Sequence, residues 1–191
     1  MRQEEGGNQG AGPELEAPEE FARVDDGFQR LWTPHRMVYI NGERPTDHAG
    51  EGCPFCAVIG KDDAEGLIVH RGQSCYVVMN LFPYNPGHVL VCPYRHVSLY
   101  VDLTDTETLE FGQLTKASIA ALERASSPMG FNIGINQGAV AGAGVRAHLH
   151  QHIVPRWSGD SNFLPIIGQT KALPMLLEDV RLRLVDAWAR G

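Results

Sequence analysis

The chain has 191 residues, of which 43% are hydrophobic and 20% are charged, and its formal net charge is −7. These values are typical of one globular domain with a substantial core. The acidic balance disfavours nucleic acid as a partner, and no apolar run is long enough for a transmembrane helix. The first residues lack the apolar stretch of a secretory signal, so we expect a cytoplasmic protein without membrane association.

The N-terminal part divides into a tail and the start of a domain. Residues 1–20 are rich in Gly, Glu and Pro, which predicts a disordered acidic tail. A single domain is expected over residues 21–191. It begins with a short helix at residues 21–32, where apolar side chains recur at near-helical spacing, and Thr33-Pro34 ends that helix.

Three apolar segments in the middle of the chain predict strands. Residues 67–70 and 74–79 are separated by a short turn containing Gly72, which indicates a hairpin. A turn with two prolines at residues 80–87 then leads into a strongly apolar strand at residues 88–93.

The following segment predicts a long helix between strands. Thr104 and Glu107 form a capping box, and the helix should end before Pro128. A strand at residues 130–136, a Gly-rich loop and a histidine-rich strand follow, and residues 171–190 predict a terminal amphipathic helix. This order predicts an α+β domain with a mainly antiparallel five-stranded sheet, a long crossover helix and a C-terminal helix.

The histidine-rich strand contains His148, His150 and His152 at alternate positions. Alternate side chains of a strand point to one face, so the three imidazoles should lie side by side. Buried polar groups need partners, which makes such a row poor core material. The alternatives are a few scattered histidines, or a strand that binds a metal incidentally.

An imidazole is a suitable nucleophile for phosphorus near neutral pH, because its ordinary pKa of about 6.5 leaves it unprotonated there. His150 is central, so its neighbours could fix its tautomer and assist a leaving oxygen. The preceding loop, at residues 138–144, contains Gly142 and Gly144 and could direct backbone N–H groups at phosphate.

Three basic residues near the histidines are candidates for local positive charge against the acidic whole. They are Arg146, Arg156 and Lys171. For each of them, a solvated surface position is an equally good interpretation.

Two separated motifs make the chain resemble the histidine-triad (HIT) family of nucleotide hydrolases and transferases over residues 53–157. They are Asn136-x-Gly138 followed by His148-Leu149-His150-Gln151-His152-Ile153-Val154, and the segment at residues 80–93. A closer resemblance, to the actinobacterial-type diadenosine tetraphosphate phosphorylases of that family, rests on Leu31-Trp32-Thr33-Pro34, Pro155-Arg156-Trp157, Asp160-x-Asn162-Phe163 and the helical tail.

The resemblance implies a HIT-like fold and a role for several residues. His150 falls on the nucleophile, with His148 and His152 as the flanking members. Asn80 and His88 fall on positions near the nucleoside. Asn136 falls on the amide near the scissile phosphate and is preferred over Gln137. Gly144-Val145 departs from the Ser/Thr-bearing turn common in the family, so backbone N–H groups must replace a hydroxyl contact.

Cys53-Pro54-Phe55-Cys56 has the spacing of metal ligands, but it supplies only two of the four that a structural zinc site needs. By resemblance to zinc-bearing members of the family, His96 and His148 would complete the set. The alternative is a pair of reduced thiols without metal. Cys75 and Cys92 lie in apolar strands and are expected in the core.

The resemblance implies nucleotidyl transfer through a nucleotidyl-histidine and, most closely, phosphorolysis of diadenosine tetraphosphate to ADP and ATP. Inorganic phosphate or water as acceptor stays open from the residues alone. Alternatives are a dinucleoside polyphosphate hydrolase, a nucleoside phosphoramidase, or a non-catalytic zinc-stabilised nucleotide-binding protein. Family members are generally homodimers or homotetramers.

Overall fold

The computed structural model describes residues 52–160 and 175–191. The elements in these ranges, in chain order, are α1 (Pro54–Ile59), β1 (Ile68–Arg71), β2 (Cys75–Met79), β3 (Val89–Pro93), a 3-10 turn (Tyr100–Asp102), α2 (Asp105–Ser126), β4 (Gly130–Ile135), a second 3-10 turn (Ala139–Ala141), β5 (Gln151–Arg156) and α3 (Leu177–Ala189). The predicted tail at residues 1–20, the helix at residues 21–32 and Lys171 lie outside the described residues. None of the described helices has both the length and the apolar character that crossing a bilayer requires.

The five strands form one sheet in the order β1-β2-β3-β5-β4, and every neighbouring pair is antiparallel. Helix α2 connects β3 to β4, which are separated in the sheet by β5. The predicted α+β fold with a five-stranded antiparallel sheet and a long crossover helix is therefore confirmed. Helix α1 was not predicted, because six residues between a cysteine and a glycine are too short for a periodic signal.

Local sequence explains the start of α2 and its attachment to the hairpin. The Thr104 hydroxyl accepts a hydrogen bond from the Glu107 backbone N–H, and the Glu107 carboxylate accepts one from the Thr104 N–H, so the predicted capping box is present. One turn later, the Glu110 carboxylate accepts hydrogen bonds from the backbone N–H groups of Gln73 and Cys75. The helix is thereby fixed to the β1–β2 turn.

The two faces of the sheet have different coverings. Val77, Val91 and Ile153 are fully buried on the face that packs against α2 and α3. Tyr76 and Cys92 belong to a smaller cluster on the opposite face, against which α1 packs. Cys75 and Cys92 are both completely buried, as predicted.

The prediction that all three histidines belong to one strand is wrong in part. Strand β5 begins at Gln151, so His152 lies in the strand while His148 and His150 lie in the extended segment before it. Pairing with β3 ends because Pro93 has no N–H, and its carbonyl is used by the ring of His148. The alternation of faces persists through this segment, because Leu149 belongs to the cluster on the α2 face while His148 and His150 contact Phe55 of α1.

Candidate active site and metal-binding cluster

The three histidine rings lie side by side on the α1 side of the sheet. His148 and His150 are buried and His152 is half-buried. The ring centroids of His150 and His152 are 5.1 Å apart. The ring of Phe55, on α1, lies 5.5 Å from that of His148 and 4.8 Å from that of His150. Sequence reasoning missed Phe55, although its place between Cys53 and Cys56 was a usable signal.

One ring nitrogen of His150 is free for chemistry. Its Nδ1 lies 2.8 Å from the backbone carbonyl oxygen of His148. A carbonyl only accepts hydrogen bonds, so Nδ1 bears the proton and Nε2 retains its lone pair. Burial lowers the pKa of His150, although the hydrogen bond to the carbonyl acts in the opposite direction. The imidazole is therefore neutral near pH 7 and able to attack an electrophile.

A chain of hydrogen bonds fixes the tautomer of His152. The backbone N–H of Tyr84 donates to Nδ1 of His88 at 3.0 Å, so Nε2 of His88 bears the proton. That Nε2 lies 2.9 Å from Nδ1 of His152, which must accept, and the proton of His152 is therefore on Nε2. Burial, followed by the proximity of His150, lowers the pKa of His152 to about 4. The ring thus presents a neutral N–H donor.

The turn before β3 adds apolar surface beside His152. The Tyr84 ring stacks on that of His152 at 5.8 Å and 12°, and Tyr84, Leu81 and Phe82 are all more than half exposed. The side chain of Asn80 stabilises the turn, because its Oδ1 accepts a hydrogen bond from the Phe82 N–H. Its Nδ2 lies 3.3 Å from Nδ1 of His88. Tyr84 was missed in the sequence because a turn aromatic carries no periodic signal.

Four side chains on the other side of His150 converge as a possible metal site. The ligand atoms of Cys53, Cys56, His96 and His148 all lie within 4.8 Å of one another. Nδ1 of His148 is 3.4 Å from the Cys53 sulfur and 3.5 Å from the Cys56 sulfur, and Nδ1 of His96 is 3.2 Å from the Cys56 sulfur. The structure therefore brings together all four residues selected as ligands.

The protonation states of this cluster suit a cation. Nε2 of His148 lies 2.9 Å from the Pro93 carbonyl, so Nε2 bears the proton and Nδ1 directs its lone pair at the sulfurs. Burial lowers the pKa of His148 to about 4, which keeps the ring neutral. Burial and the adjacent Cys53 raise the pKa of the Cys56 thiol to about 11. A bound cation would reverse that rise, because it favours thiolates.

The Gly-rich loop lies between β4 and the histidines. Asn136 follows the last β4 residue, Ile135, which pairs with Gln151, and the register continued by one residue would place Asn136 opposite His150. Gln137 has another partner, since its Oε1 accepts a hydrogen bond from the Tyr100 N–H at 2.7 Å. Gly142 has a positive φ of 82° and ends the 3-10 turn. A Cβ at Gly144 would meet no atom within 4 Å, so the loop backbone there is uncrowded.

Of the basic residues predicted near the histidines, Arg156 is bonded to neighbouring side chains. The Arg156 guanidinium donates to the Asp160 carboxylate at 2.6 and 2.8 Å and to Oδ1 of Asn132 at 2.6 Å. Arg95 is bonded in a similar way to Glu107. Arg146, just before the histidines, is half-buried, and the role of both Arg146 and Arg156 towards an anion stays a prediction.

Comparison with known proteins was consistent with these observations. The model of the HIT domain matches residues 61–159. An "AP-4-A phosphorylase" of Mycobacterium tuberculosis is 47% identical over 169 residues, which are 86% of this chain and 87% of that protein. The match extends well beyond the triad and includes both motifs.

Solved structures share the fold. A hypothetical histidine triad nucleotide-binding protein from Sulfolobus tokodaii has a TM-score of 0.61 at 25% identity, covering 72% of this chain and 93% of its own. A zinc-bound histidine triad family protein from Mycobacterium smegmatis has a TM-score of 0.61 over 74% and 96% of the two chains, and its 24% identity supports the fold alone. The matches to the family model and to these relatives, together with the sheet and the row of histidines, show that the chain belongs to the HIT family.

Proposed function

We propose that this protein cleaves dinucleoside polyphosphates by nucleotidyl transfer, with diadenosine tetraphosphate as its main substrate and inorganic phosphate as the acceptor. The observation that best supports this proposal is the free Nε2 of a neutral, buried His150, held by the His148 carbonyl. The choice of substrate and acceptor is supported by the 47% identity to a protein named AP-4-A phosphorylase.

In the first half-reaction, Nε2 of His150 forms a bond to the α-phosphorus. The bond from that phosphorus to the bridging oxygen breaks, and ATP leaves with the bonding electrons. The Nε2–H of His152 donates a hydrogen bond to the departing oxygen and stabilises its developing charge. The substituted His150 ring becomes cationic, and the hydrogen bond from its Nδ1 to the His148 carbonyl grows stronger as it does so.

In the second half-reaction, phosphate attacks the nucleotidyl phosphorus, the P–N bond breaks, and ADP leaves. The electrons of that bond return to Nε2 of His150. Water in place of phosphate would give AMP by the same route. A hydrolase and a phosphorylase of this design share their histidines and differ in which acceptor the site holds.

Substrate contacts are assigned to the groups around the triad. Asn80 belongs to the nucleoside side, where the exposed rings of Phe82 and Tyr84 offer surfaces on which a base can stack. His88 was predicted for the same side, but it is fully buried and would act there through its hydrogen bond to His152. Asn136 and Gln137, with the backbone at Gly142 and Gly144, belong to the phosphate side. Lys171 stays a prediction for the same side.

The metal is proposed to be a structural zinc ion. Tetrahedral zinc with sulfur at about 2.3 Å and nitrogen at about 2.0 Å separates the two ligand types by roughly 3.5 Å. The sulfur–nitrogen distances of 3.2, 3.4 and 3.5 Å agree with that geometry. Zinc would neutralise the thiolates and fix His148, whose carbonyl holds His150.

The protein is further proposed to be a homodimer or homotetramer in the cytoplasm. Strand β4 lies at one edge of the sheet, and its Ile133 side chain is 47% exposed, so a second copy could pair there. All four cysteines are free thiols, which suits a reducing compartment. Light scattering of the purified protein measures the assembly.

The function is tested by incubating the protein with diadenosine tetraphosphate and labelled inorganic phosphate. Phosphorolysis predicts ATP and ADP in equal amounts, with the label in the β-phosphate of ADP. His150→Ala should abolish turnover, whereas His70→Gln, at a histidine on β1, should retain it. Production of AMP with and without phosphate would identify a hydrolase, and equal turnover by wild type and His150→Ala would reject catalysis by the triad.

A further inference from the structure

Asp160 lies just beyond β5 and is the centre of a polar network. Its Oδ2 accepts hydrogen bonds from Nε of Arg156 at 2.6 Å, from Nδ2 of Asn85 at 2.8 Å and from the backbone N–H of Trp157 at 3.1 Å. Its Oδ1 accepts from a terminal nitrogen of Arg156 at 2.8 Å. The carboxylate is only 11% exposed, so these bonds are shielded from water.

Arg156 uses three of its five N–H donors within this network. Nε and one terminal nitrogen bind Asp160, and the other terminal nitrogen donates to Oδ1 of Asn132 on β4 at 2.6 Å. A guanidinium with a hydrogen bond on each of its three nitrogens has a fixed orientation and fixes its acceptor in turn. Arg156 therefore fixes the direction in which the Asp160 carboxylate faces Asn85.

Asn85 joins this network to a segment 75 residues earlier in the chain. One amide hydrogen of Asn85 bonds to Asp160, and the other bonds to the backbone carbonyl of Pro155 at 2.9 Å. Both donors of the amide are thus used to hold the turn before β3 against the end of β5. Those are the two segments that carry His88 and His152.

The position of Asn85 determines the position of the donors that fix the histidine tautomers. The Asn85 carbonyl accepts a hydrogen bond from the His88 N–H at 3.1 Å. The neighbouring Tyr84 donates its N–H to Nδ1 of His88 and stacks its ring on His152. A displacement of Asn85 would therefore weaken both the His88–His152 hydrogen bond and the stacking.

We infer that Asp160 and Asn85 are positioning residues for the reaction, which act by holding the turn at Tyr84 so that His88 fixes His152 with its proton on Nε2. Arg156 serves this network by orienting the Asp160 carboxylate. The inference rests on the proposed function, because it assigns the network to the step in which His152 stabilises the leaving oxygen. Asp160 and Asn85 do not touch the substrate in this scheme and act through His88 and His152.

Asn85→Ala and Asp160→Asn test the inference, with Glu65→Gln as a matched control that breaks an exposed ion pair to Lys61. We expect kcat for diadenosine tetraphosphate to fall by about 10- to 100-fold, as for other residues that orient a reacting group through hydrogen bonds, with KM changed by less than about threefold. The control should match wild type. Arg156→Lys keeps the charge but loses the forked geometry, and a smaller fall in kcat is expected.

Long-range proton–nitrogen NMR of the imidazoles supplies a readout that needs no substrate. In wild type, Nδ1 of His152 should give the signal of an unprotonated nitrogen, and in Asn85→Ala it should move towards the average of two exchanging tautomers. His152→Asn identifies the signal by its loss. Should a variant fail to fold, Arg156→Lys replaces it in the same comparison.

Two results would overturn the inference. One is a raised KM with unchanged kcat in these variants, which would make Arg156 or Asp160 a substrate contact. The other is an unchanged nitrogen spectrum in Asn85→Ala. If wild type itself does not cleave diadenosine tetraphosphate, the proposed function fails, and the NMR comparison still decides the positioning role.

Discussion

Replacing Gly87 with alanine should destabilise the protein more than its backbone conformation alone explains. Gly87 has a φ of +81°, and a Cβ there would lie 2.9 Å from Cδ2 of Leu122 and 3.3 Å from Cγ of Pro155. Leu122 is 1% exposed on the buried face of α2, so moving its side chain away from a new Cβ would disturb the close packing around it. The left-handed backbone costs an alanine about 1–2 kcal/mol, and overpacking adds about 1–3 kcal/mol. Gly87→Ala should therefore lose roughly 2–5 kcal/mol of unfolding free energy.

Gly159→Ala is the matched control. Gly159 has a similar φ of +75°, but a Cβ there would meet nothing within 4 Å, so only the backbone cost of about 1–2 kcal/mol applies. Denaturant unfolding of both variants measures the difference. Equal losses of free energy would refute the packing argument. Because His88 follows Gly87 directly and is fully buried, Gly87→Ala should also lower kcat.

Three further predictions concern charged and metal-binding groups. The ion pair and hydrogen bonds to Arg95 hold the pKa of Glu107 at about 2, below its ordinary 4.5, so the carboxylate stabilises the fold above pH 4.5 and that stability is lost as the pH falls towards 2. Glu107→Gln should flatten this decline in acid unfolding curves, and an unaltered decline would assign it to other carboxylates. Cys56→Ser should lower the zinc content measured by atomic emission from near one equivalent to a small fraction. Cys75→Ala, on the α2 face, should retain the metal. Equal zinc in the two variants would exclude the cluster as the site. Glu110→Gln should cost about 1–3 kcal/mol in denaturant unfolding, since it weakens the acceptor of the backbone N–H groups in the β1–β2 turn, and a change below about 0.5 kcal/mol would contradict that role.

Local patterns predicted the sheet and the long helix well. The capping box at Thr104 and Glu107 uses residues three positions apart, and the hairpin around Gly72 joins adjacent strands, so both signals are contained in short windows. The row of histidines was also predictable from the sequence, because the alternation of side chains continues through the extended segment before β5. The start of β5 was not visible, since the β3–β5 ladder ends at Val91 and Gln151 and the Pro93 carbonyl bonds to the ring of His148, 55 residues later in the chain.

The parts of the site that sequence reasoning missed depend on distant partners. The ring of Phe55 packs on His150, and the Tyr84 N–H sets the tautomer of His88, but neither contact has a periodic signature. The pairing of Arg156 with Asp160 was also missed. An arginine beside an aspartate in an irregular segment has no predictable geometry before the chain is folded.

The sheet order has a consequence for how the active site comes into existence. Strand β5 is the last to leave the ribosome, yet it lies between β3 and β4, and within the described residues β4 has no other strand neighbour. The sheet therefore becomes continuous only when β5 docks, and the same segment brings His148 to Cys53 and Cys56 and His150 to Phe55. A nascent chain that has released only β1 to β4 lacks all three histidines of the row, so the order of the segments delays the assembly of the site until the last strand is made.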